Sequence, residues 1–462
     1  MPRSARLIPI IVASPLFLQN LDSSVMATAL PSIAHSLNVP PLHLNLAITA
    51  YLLSLAIFLP VSAWLADRFG PKRVFCVAIA LFSLGSALCG AADSLPAMVL
   101  FRVLQGLGGA MMVPVGRLIL LRAVPPSEMV SAMVWFTVPP LLGRMVGPLF
   151  GGAIVSVASW RWIFLVNIPF GLLAIALAMV YVQDERPVAT EAVPFDTCGF
   201  VWLALGLGAL LGAMETAGKG IAPWWVSALA TAAGVFALAA YYRHSRHRSH
   251  PLMDLGLLRY ATFRTNVLGA TPLRIAVGAT PFLLPLMLQL GFGLSPLQSG
   301  ALTVATAIGA LATRLVMKRA IHDLGFRRLL LFATVLTSLF YISYSRFRPD
   351  TSHLLMFCTM MAGGLISSLC MIALGTLGFS EVPKARMGHA TALSTMLQQL
   401  SISFGVVLGA SVVSAASWWR GGDGVHLQAG DFSPAFVVVG VLTLLSLLSF
   451  RKLGPAVGVE MR

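Results

Sequence analysis

Asp22 is the one acidic residue set deep in an apolar stretch of this chain; Asp67, Glu128 and Glu215 fall at the ends of such stretches. A carboxylate withdrawn from water must find donors or take up a proton, because its unpaired charge costs several kcal/mol. Asp22 is therefore the natural candidate to bind and release a proton. Counting about 1.5 Å per residue from Leu7 places it about 22 Å into a hydrocarbon core of about 30 Å. Arg102 lies in a stretch running the other way, about 8 Å from its outer end. The two share a depth, as a proton-exchanging pair or as a purely structural one. Four further arginines, Arg117, Arg144, Arg274 and Arg314, fall inside apolar stretches. Arg117 and Arg314 sit near stretch ends and can reach the headgroups. Arg144 and Arg274 are deeper, and each either bonds backbone carbonyls or faces an aqueous cavity. With Gln105, Gln289, Gln398 and Gln399 they are the candidate polar lining of a substrate cavity.

Other chemistries find no support. There is no Ser/His/Asp order on a loop and no Gly-rich phosphate cradle, so neither an enzyme nor an ATP-driven pump is expected. The five cysteines (Cys76, Cys89, Cys198, Cys358, Cys370) lie in apolar runs without metal-ligand spacing and read as small buried hydrophobes. His244, His247 and His250 lack an acidic or Cys partner nearby in sequence. They read as a solvated connector at the membrane surface, with no metal and no cofactor.

The elements that must position Asp22 are membrane spans. Of 462 residues, 58% are hydrophobic and 10% charged, against roughly 25% charged in a soluble domain. Mean hydropathy is +0.87. A soluble enzyme, a secreted disulfide scaffold and a disordered chain are excluded. Fourteen apolar stretches follow one another, near 7–29, 42–65, 74–92, 97–121, 129–157, 162–182, 198–216, 222–242, 262–290, 297–317, 327–345, 352–378, 388–418 and 432–450. The first follows Arg3 and Arg6 without a convincing cleavage site, so it reads as an uncleaved helix. With both termini cytoplasmic, 21 of the 31 Lys and Arg residues fall inside, 5 outside and 5 within spans. That asymmetry obeys the positive-inside rule and accounts for the net charge of +15 without nucleic acid.

An internal echo divides the chain. Asp67-Arg68-Phe69-Gly70-Pro71-Lys72-Arg73 follows the second stretch, and Asp323-Leu324-Gly325-Phe326-Arg327-Arg328 follows the tenth. Repeated halves suit a transporter with a site between two bundles. The expected units are a six-helix bundle over 1–182, connectors with a two-helix insert over 183–260, and a second six-helix bundle over 261–462. In the fifth stretch Gly143, Gly147 and Gly151 recur at every fourth position, a bare stripe that lets a neighbouring helix approach closely. Pro148 removes the backbone bond to Arg144 and predicts a bend.

These motifs resemble the major facilitator superfamily, and within it the fourteen-helix drug:proton antiporters of the EmrB/QacA type. Leu21-Asp22-Ser-Ser-Val-Met-Ala-Thr-Ala-Leu30-Pro31 is similar to the family's first-helix pattern, with Ser24 replacing a Thr and Ala27 an Asn. Residues 65–73 resemble its gating turn, though Ala63 stands where a Gly is usual. Arg102 through Gln105, Gly106, Gly108 and Gly109 resembles its fourth helix. Gly143-x-x-x-Gly147-Pro148-x-x-Gly151-Gly152 matches its antiporter signature. Ser159-Trp160-Arg161-Trp162-Ile163-Phe164 through Asn167-Ile-Pro169 resembles its fifth-to-sixth connection. The resemblance covers nearly the whole chain. It implies an all-α membrane fold of two six-helix bundles plus a two-helix insert, in a bacterial inner membrane. It implies proton-coupled export of small amphiphilic molecules by alternating access, with a facilitator or transporter of one metabolite as the alternative. Asp22 and Arg102 are then the coupling residues. Asp67, Arg68, Gly70, Lys72, Arg73, Gly325, Arg327 and Arg328 form the cytoplasmic gate. The expected partners are a small-molecule substrate, protons and lipid, with a periplasmic adaptor and outer-membrane components as further candidates. The deep arginines point to neutral, zwitterionic or weakly anionic substrates rather than dications.

Overall fold

The computed structural model describes residues 3–124, 129–183, 194–216, 223–248, 252–383, 386–422 and 426–454. Glu128, Arg186, Lys219, His250, Lys384 and Arg462 lie outside the described residues, as does most of the loop after Gln183. All regular structure among the described residues is helical. In chain order the α-helices are α1 (Arg3–Ser36), α2 (Asn45–Phe58), α3 (Val61–Phe69), α4 (Pro71–Gly90), α5 (Leu95–Ala123) and α6 (Met129–Val157). They continue as α7 (Trp162–Leu165), α8 (Asn167–Tyr181), α9 (Thr197–Thr216), α10 (Trp224–His247), α11 (Ala261–Arg264) and α12 (Thr271–Leu286). The last are α13 (Pro296–Tyr344), α14 (His353–Gly378), α15 (Met387–Trp419), α16 (Ala429–Leu444) and α17 (Ser446–Phe450).

Thirteen helical stretches are long and apolar enough to cross a bilayer. The fourteenth crossing is α2 with α3, broken at Pro60, whose ring cannot continue the backbone ladder. The ninth is broken as well: π-helical turns at Thr265–Gly269 and Met287–Gly291 flank α12. α13 joins the tenth and eleventh crossings through one non-helical residue, Gly325. The expected ranges 297–317 and 327–345 are two crossings that meet at Gly325.

Side-chain placement fits the expected sidedness. Trp162, Trp224, Trp225, Trp418 and Trp419 are exposed at the expected outer ends, where amphipathic rings suit the headgroup level. Cys89 and Cys370 are buried, but Cys198 and Cys358 are exposed, correcting the expectation that all five cysteines are core. An apolar run in lipid needs no burial in protein.

The apolar core is unevenly shared between the two sides. On the outer side one cluster runs unbroken through Leu21, Leu30, Phe164, Phe282, Leu302, Tyr344 and Phe436, so it joins helices early and late in the chain. On the inner side the core is divided among three clusters. One is built on α1, α4 and α5, one on α12 to α14, and one joins α2, α9 and α15. The outer side shares one core, whereas the inner side has three, of which one also joins the halves through α2 and α15.

Candidate functional site

Asp22 and Arg102 meet. Arg102 Nη1 donates to Asp22 Oδ2 at 2.6 Å, with both side chains 1% exposed. The same nitrogen donates to Gln105 Oε1 at 2.8 Å, and Gln105 Nε2 returns a bond to Asp22 Oδ1 at 3.1 Å. Asn167 Nδ2 donates to Asp22 Oδ1 at 3.2 Å. The guanidinium lies between aromatic faces, 4.8 Å from the Phe164 ring and 5.5 Å from that of Tyr51, which offsets part of its lost hydration. The carboxylate thus has three donors in a buried site contributed by α1, α5 and α8. Gln105, expected in the substrate cavity, is instead fully buried and bonded to Asp22 and Arg102.

The glycine stripe of α6 faces α1. A Cβ on Gly147 would lie 2.5 Å from the Ser24 Cβ, so only a bare backbone permits this approach. Pro148 leaves the Arg144 carbonyl without its helical donor, and the Ser24 hydroxyl supplies one at 3.0 Å. One turn further out, α6 meets α13: Pro148 O abuts Gly300, and Gly152 abuts Pro296 O and Leu297. Gln289 completes this closure by donating to Thr28 O at 2.9 Å, and it lies within 3.4 Å of Ser299. Gln289 is therefore part of the outer seal and not of an open cavity.

Arg144 follows from the same helical phase. It is one and two turns inward of Pro148 and Gly152 on the face that meets α13. Its side chain is exposed despite its depth in the span. Its Nη2 donates to Asn20 Oδ1 at 3.1 Å. Arg274 differs. It is 3% exposed and donates to Asn266 Oδ1 at 2.8 Å, within the second bundle. Gln398 is half-buried on α15.

The two cytoplasmic turns share one backbone conformation. Gly70 has φ 87° and ψ 139°, and Gly325 has φ 66° and ψ 161°, a region that side chains rarely enter. Their charges are satisfied locally. Asp67 lies 3.8 Å from Arg122, Arg68 stacks on Trp64 and Phe69, and Lys72 donates to Met179 O at 2.8 Å. Arg327 donates to Arg451 O at 3.1 Å. Arg73 and Arg328 lie in the same turns, Arg73 at the start of α4 and Arg328 in α13. The described partners of Asp67, Lys72 and Arg327 all lie on their own side of the split.

Sequence reasoning missed several residues. Asn167 and Ser86 were not candidates, although an Asn inside an apolar stretch was a usable signal for the first. His244 was read as solvated, but its Nε2 lies 2.7 Å from Asp196 Oδ1. Burial alone would raise the Asp196 carboxyl. The His244 contact and the N–H groups of Gly199 and Leu252 outweigh it and hold that carboxyl below its usual range.

Comparison with known proteins places this geometry. A sequence model of the Major Facilitator Superfamily matches residues 15–256 and 267–458. The multidrug resistance protein MdtD of Salmonella heidelberg (strain SL476) is 37% identical over 399 residues, covering 86% of this chain and 84% of its own. The MdtD protein of Pectobacterium carotovorum subsp. carotovorum (strain PC1) is 36% identical over 439 residues, covering 95% and 92%. Among solved structures, a D-xylose-proton symporter aligns with a TM-score of 0.68 at 15% identity, over 97% of each chain. A bacterial homologue of the human lysosomal transporter Spinster aligns with a TM-score of 0.67 at 16% identity, over 98% and 97%. The two structures share the fold.

Proposed function

This chain belongs to the Major Facilitator Superfamily, and we propose that it exports small amphiphilic molecules across a bacterial inner membrane in exchange for protons. The buried Asp22 carboxylate, held by Arg102, Gln105 and Asn167 beside a sealed outer face, carries the reading. The relatives named for multidrug resistance support the direction and the breadth of substrate.

In the conformation seen, substrate enters from the cytoplasm toward the cavity that contains Arg144. All three partners of Asp22 donate to it, an arrangement that suits its carboxylate form. Opening of the outer seal then exposes both substrate and carboxylate to the other side. A proton taken up from outside neutralises Asp22, weakens its hold on Arg102 and favours return. The proton gradient supplies the energy, and no cofactor enters the cycle. Asp67 and its turn, with the echo at Gly325, Arg327 and Arg328, close the cytoplasmic side when the outer seal opens.

Arg144 sets the charge preference. A cation in the cavity whose one described side-chain partner is a neutral amide disfavours dications and favours neutral, zwitterionic or weakly anionic amphiphiles. The test is transport into inverted inner-membrane vesicles with an imposed pH gradient, across a panel of differently charged substrates. Asp22→Asn is expected to abolish uphill transport while leaving membrane insertion intact. Uphill transport by that variant would place coupling elsewhere.

A further inference from the structure

Asn167 does more at this site than fill space. It is 1% exposed and is the first residue of α8, just past the break at Val166. Both N–H bonds of its Nδ2 are used: one reaches Asp22 Oδ1 at 3.2 Å, the other Ser86 Oγ at 2.9 Å. The Ser86 hydroxyl in turn donates to the Phe164 carbonyl at 2.9 Å. The Asn167 Oδ1, by contrast, is buried and has no partner. An unmade bond in a buried polar network is costly, so this oxygen is a vacant acceptor beside the carboxylate.

The amide orientation depends on the proton. While Asp22 is ionised, Asn167 must present its N–H, since a reversed amide would set oxygen against oxygen. Once Oδ1 of Asp22 carries hydrogen it becomes a donor and needs an acceptor. A half-turn about the last torsion of Asn167, which is broad and roughly two-fold, brings the vacant oxygen to it. That oxygen also comes to face Ser86, whose hydroxyl can then leave the Phe164 carbonyl. The proton passes from water to Asp22; the amide then accepts two bonds through Oδ1 in place of the two that Nδ2 donated, its N–H groups take the place of the unpartnered oxygen, and the Phe164 carbonyl gives up its Ser86 donor.

We propose that Asn167 is the positioning residue that reads the protonation state of Asp22 and passes it, through Ser86 and the Phe164 carbonyl, to the outer seal. The route ends at a weak point. α7 has four residues, and Pro169 removes the N–H that the Leu165 carbonyl would accept. Trp160, Ile163 and Phe164 belong to the outer cluster that includes Phe282 and Phe436 from the other half. A change in the bonding at Phe164 therefore acts where the halves are joined. The ionisable groups near Asp22 are Arg102 on α5, Tyr51 on α2 and Cys89 on α4. Arg144 on α6 is bonded to Asn20, and Arg274 on α12 to Asn266. α7 and α8 bring no charged group to the site.

The inference rests on Asp22 being the proton site, and one experiment separates the two. The carboxyl band of purified protein is followed by infrared spectroscopy against pH, alongside transport in vesicles. Asp22→Asn should remove the band; a band that persists overturns the proton site itself. Asn167→Ala removes one donor from the ionised form, so the band should grow in about one pH unit higher. Its uphill transport should fall at least tenfold with substrate binding retained. If Asn167→Ala does not accumulate, Asn167→Ser, too short to reach the carboxylate, should show the same shift. Ser86→Ala should leave the band midpoint in place and still lower the maximal rate several-fold. An unshifted midpoint in the Asn167 variants, with the band lost in Asp22→Asn, overturns the relay and leaves the proton site standing.

Discussion

The Asp22–Arg102 pair holds two opposite charges in one buried site. Removing one member leaves the other in a dry site, at about 3–5 kcal/mol, whereas replacing both with neutral groups is nearly neutral. Arg102→Gln alone should therefore lower the thermal midpoint markedly in detergent. Adding Asp22→Asn should restore most of it and restore no uphill transport. A double variant as unstable as the single one would mean that Arg102 acts through contacts other than the carboxylate. Arg144 lends itself to a cleaner test, because its only described side-chain partner is the neutral Asn20. Arg144→Ala should weaken transport of an anionic amphiphile several-fold more than that of a neutral one. Robust Asp22-dependent efflux of a dicationic dye by the unmodified protein would refute the charge preference. Asp22 and Arg102 were legible from sequence because a lone acid in an apolar stretch has few explanations. Gln105 and Gln289 were assigned to the wrong place, since a glutamine's spacing does not say whether it turns toward a charge, a seal or a cavity.

At the scale of elements, two devices set how the helices meet. The repeated turns depend on glycine backbone at Gly70 and Gly325, both with positive φ and extended ψ. Gly325→Ala should cost about 1–3 kcal/mol through strain alone, read as a lowered unfolding midpoint, because nothing but backbone conformation is altered. Sequence marked this turn through Gly-x-[Lys/Arg]-Arg and placed the following span one residue late, since the helix resumes at Phe326 directly after Gly325. The second device pins α9, α10 and the connector together through Asp196, His244 and the Leu252 N–H. Its carboxyl is held below the usual range, so the pin is complete above the unfolded value of about 3.9 and is lost as pH falls through the lower folded value. Proteolysis at the connector should therefore rise only below about pH 4, and Asp196→Asn should bring that sensitivity to neutral pH. No sequence pattern exposed this pin, because its members are 48 and 56 residues apart.

At the scale of the whole molecule, the contact between α6 and α13 closes the outer side. Its closure is steric as much as polar: a Cβ on Gly300 would lie 2.2 Å from the Pro148 carbonyl oxygen, so no side chain fits while α6 and α13 touch. Gly300→Val should therefore wedge the outer side apart and shift the population toward the outward-open form. On the proposed gating role of its turn, Asp67→Ala should do the opposite, since it would remove a charge that closes the cytoplasmic side in that form. Each shift is a free-energy bias between the same two states, so the two should offset each other in one chain. The measurement is maleimide labelling from outside at Thr28→Cys, whose parent residue is fully buried in the seal, in a background with Cys198 and Cys358 replaced. Labelling should rise with Gly300→Val, fall with Asp67→Ala and return toward the starting value in the combination. Equal labelling in all three would mean that the outer contact between α6 and α13 and the turn at Asp67 do not bias a shared equilibrium.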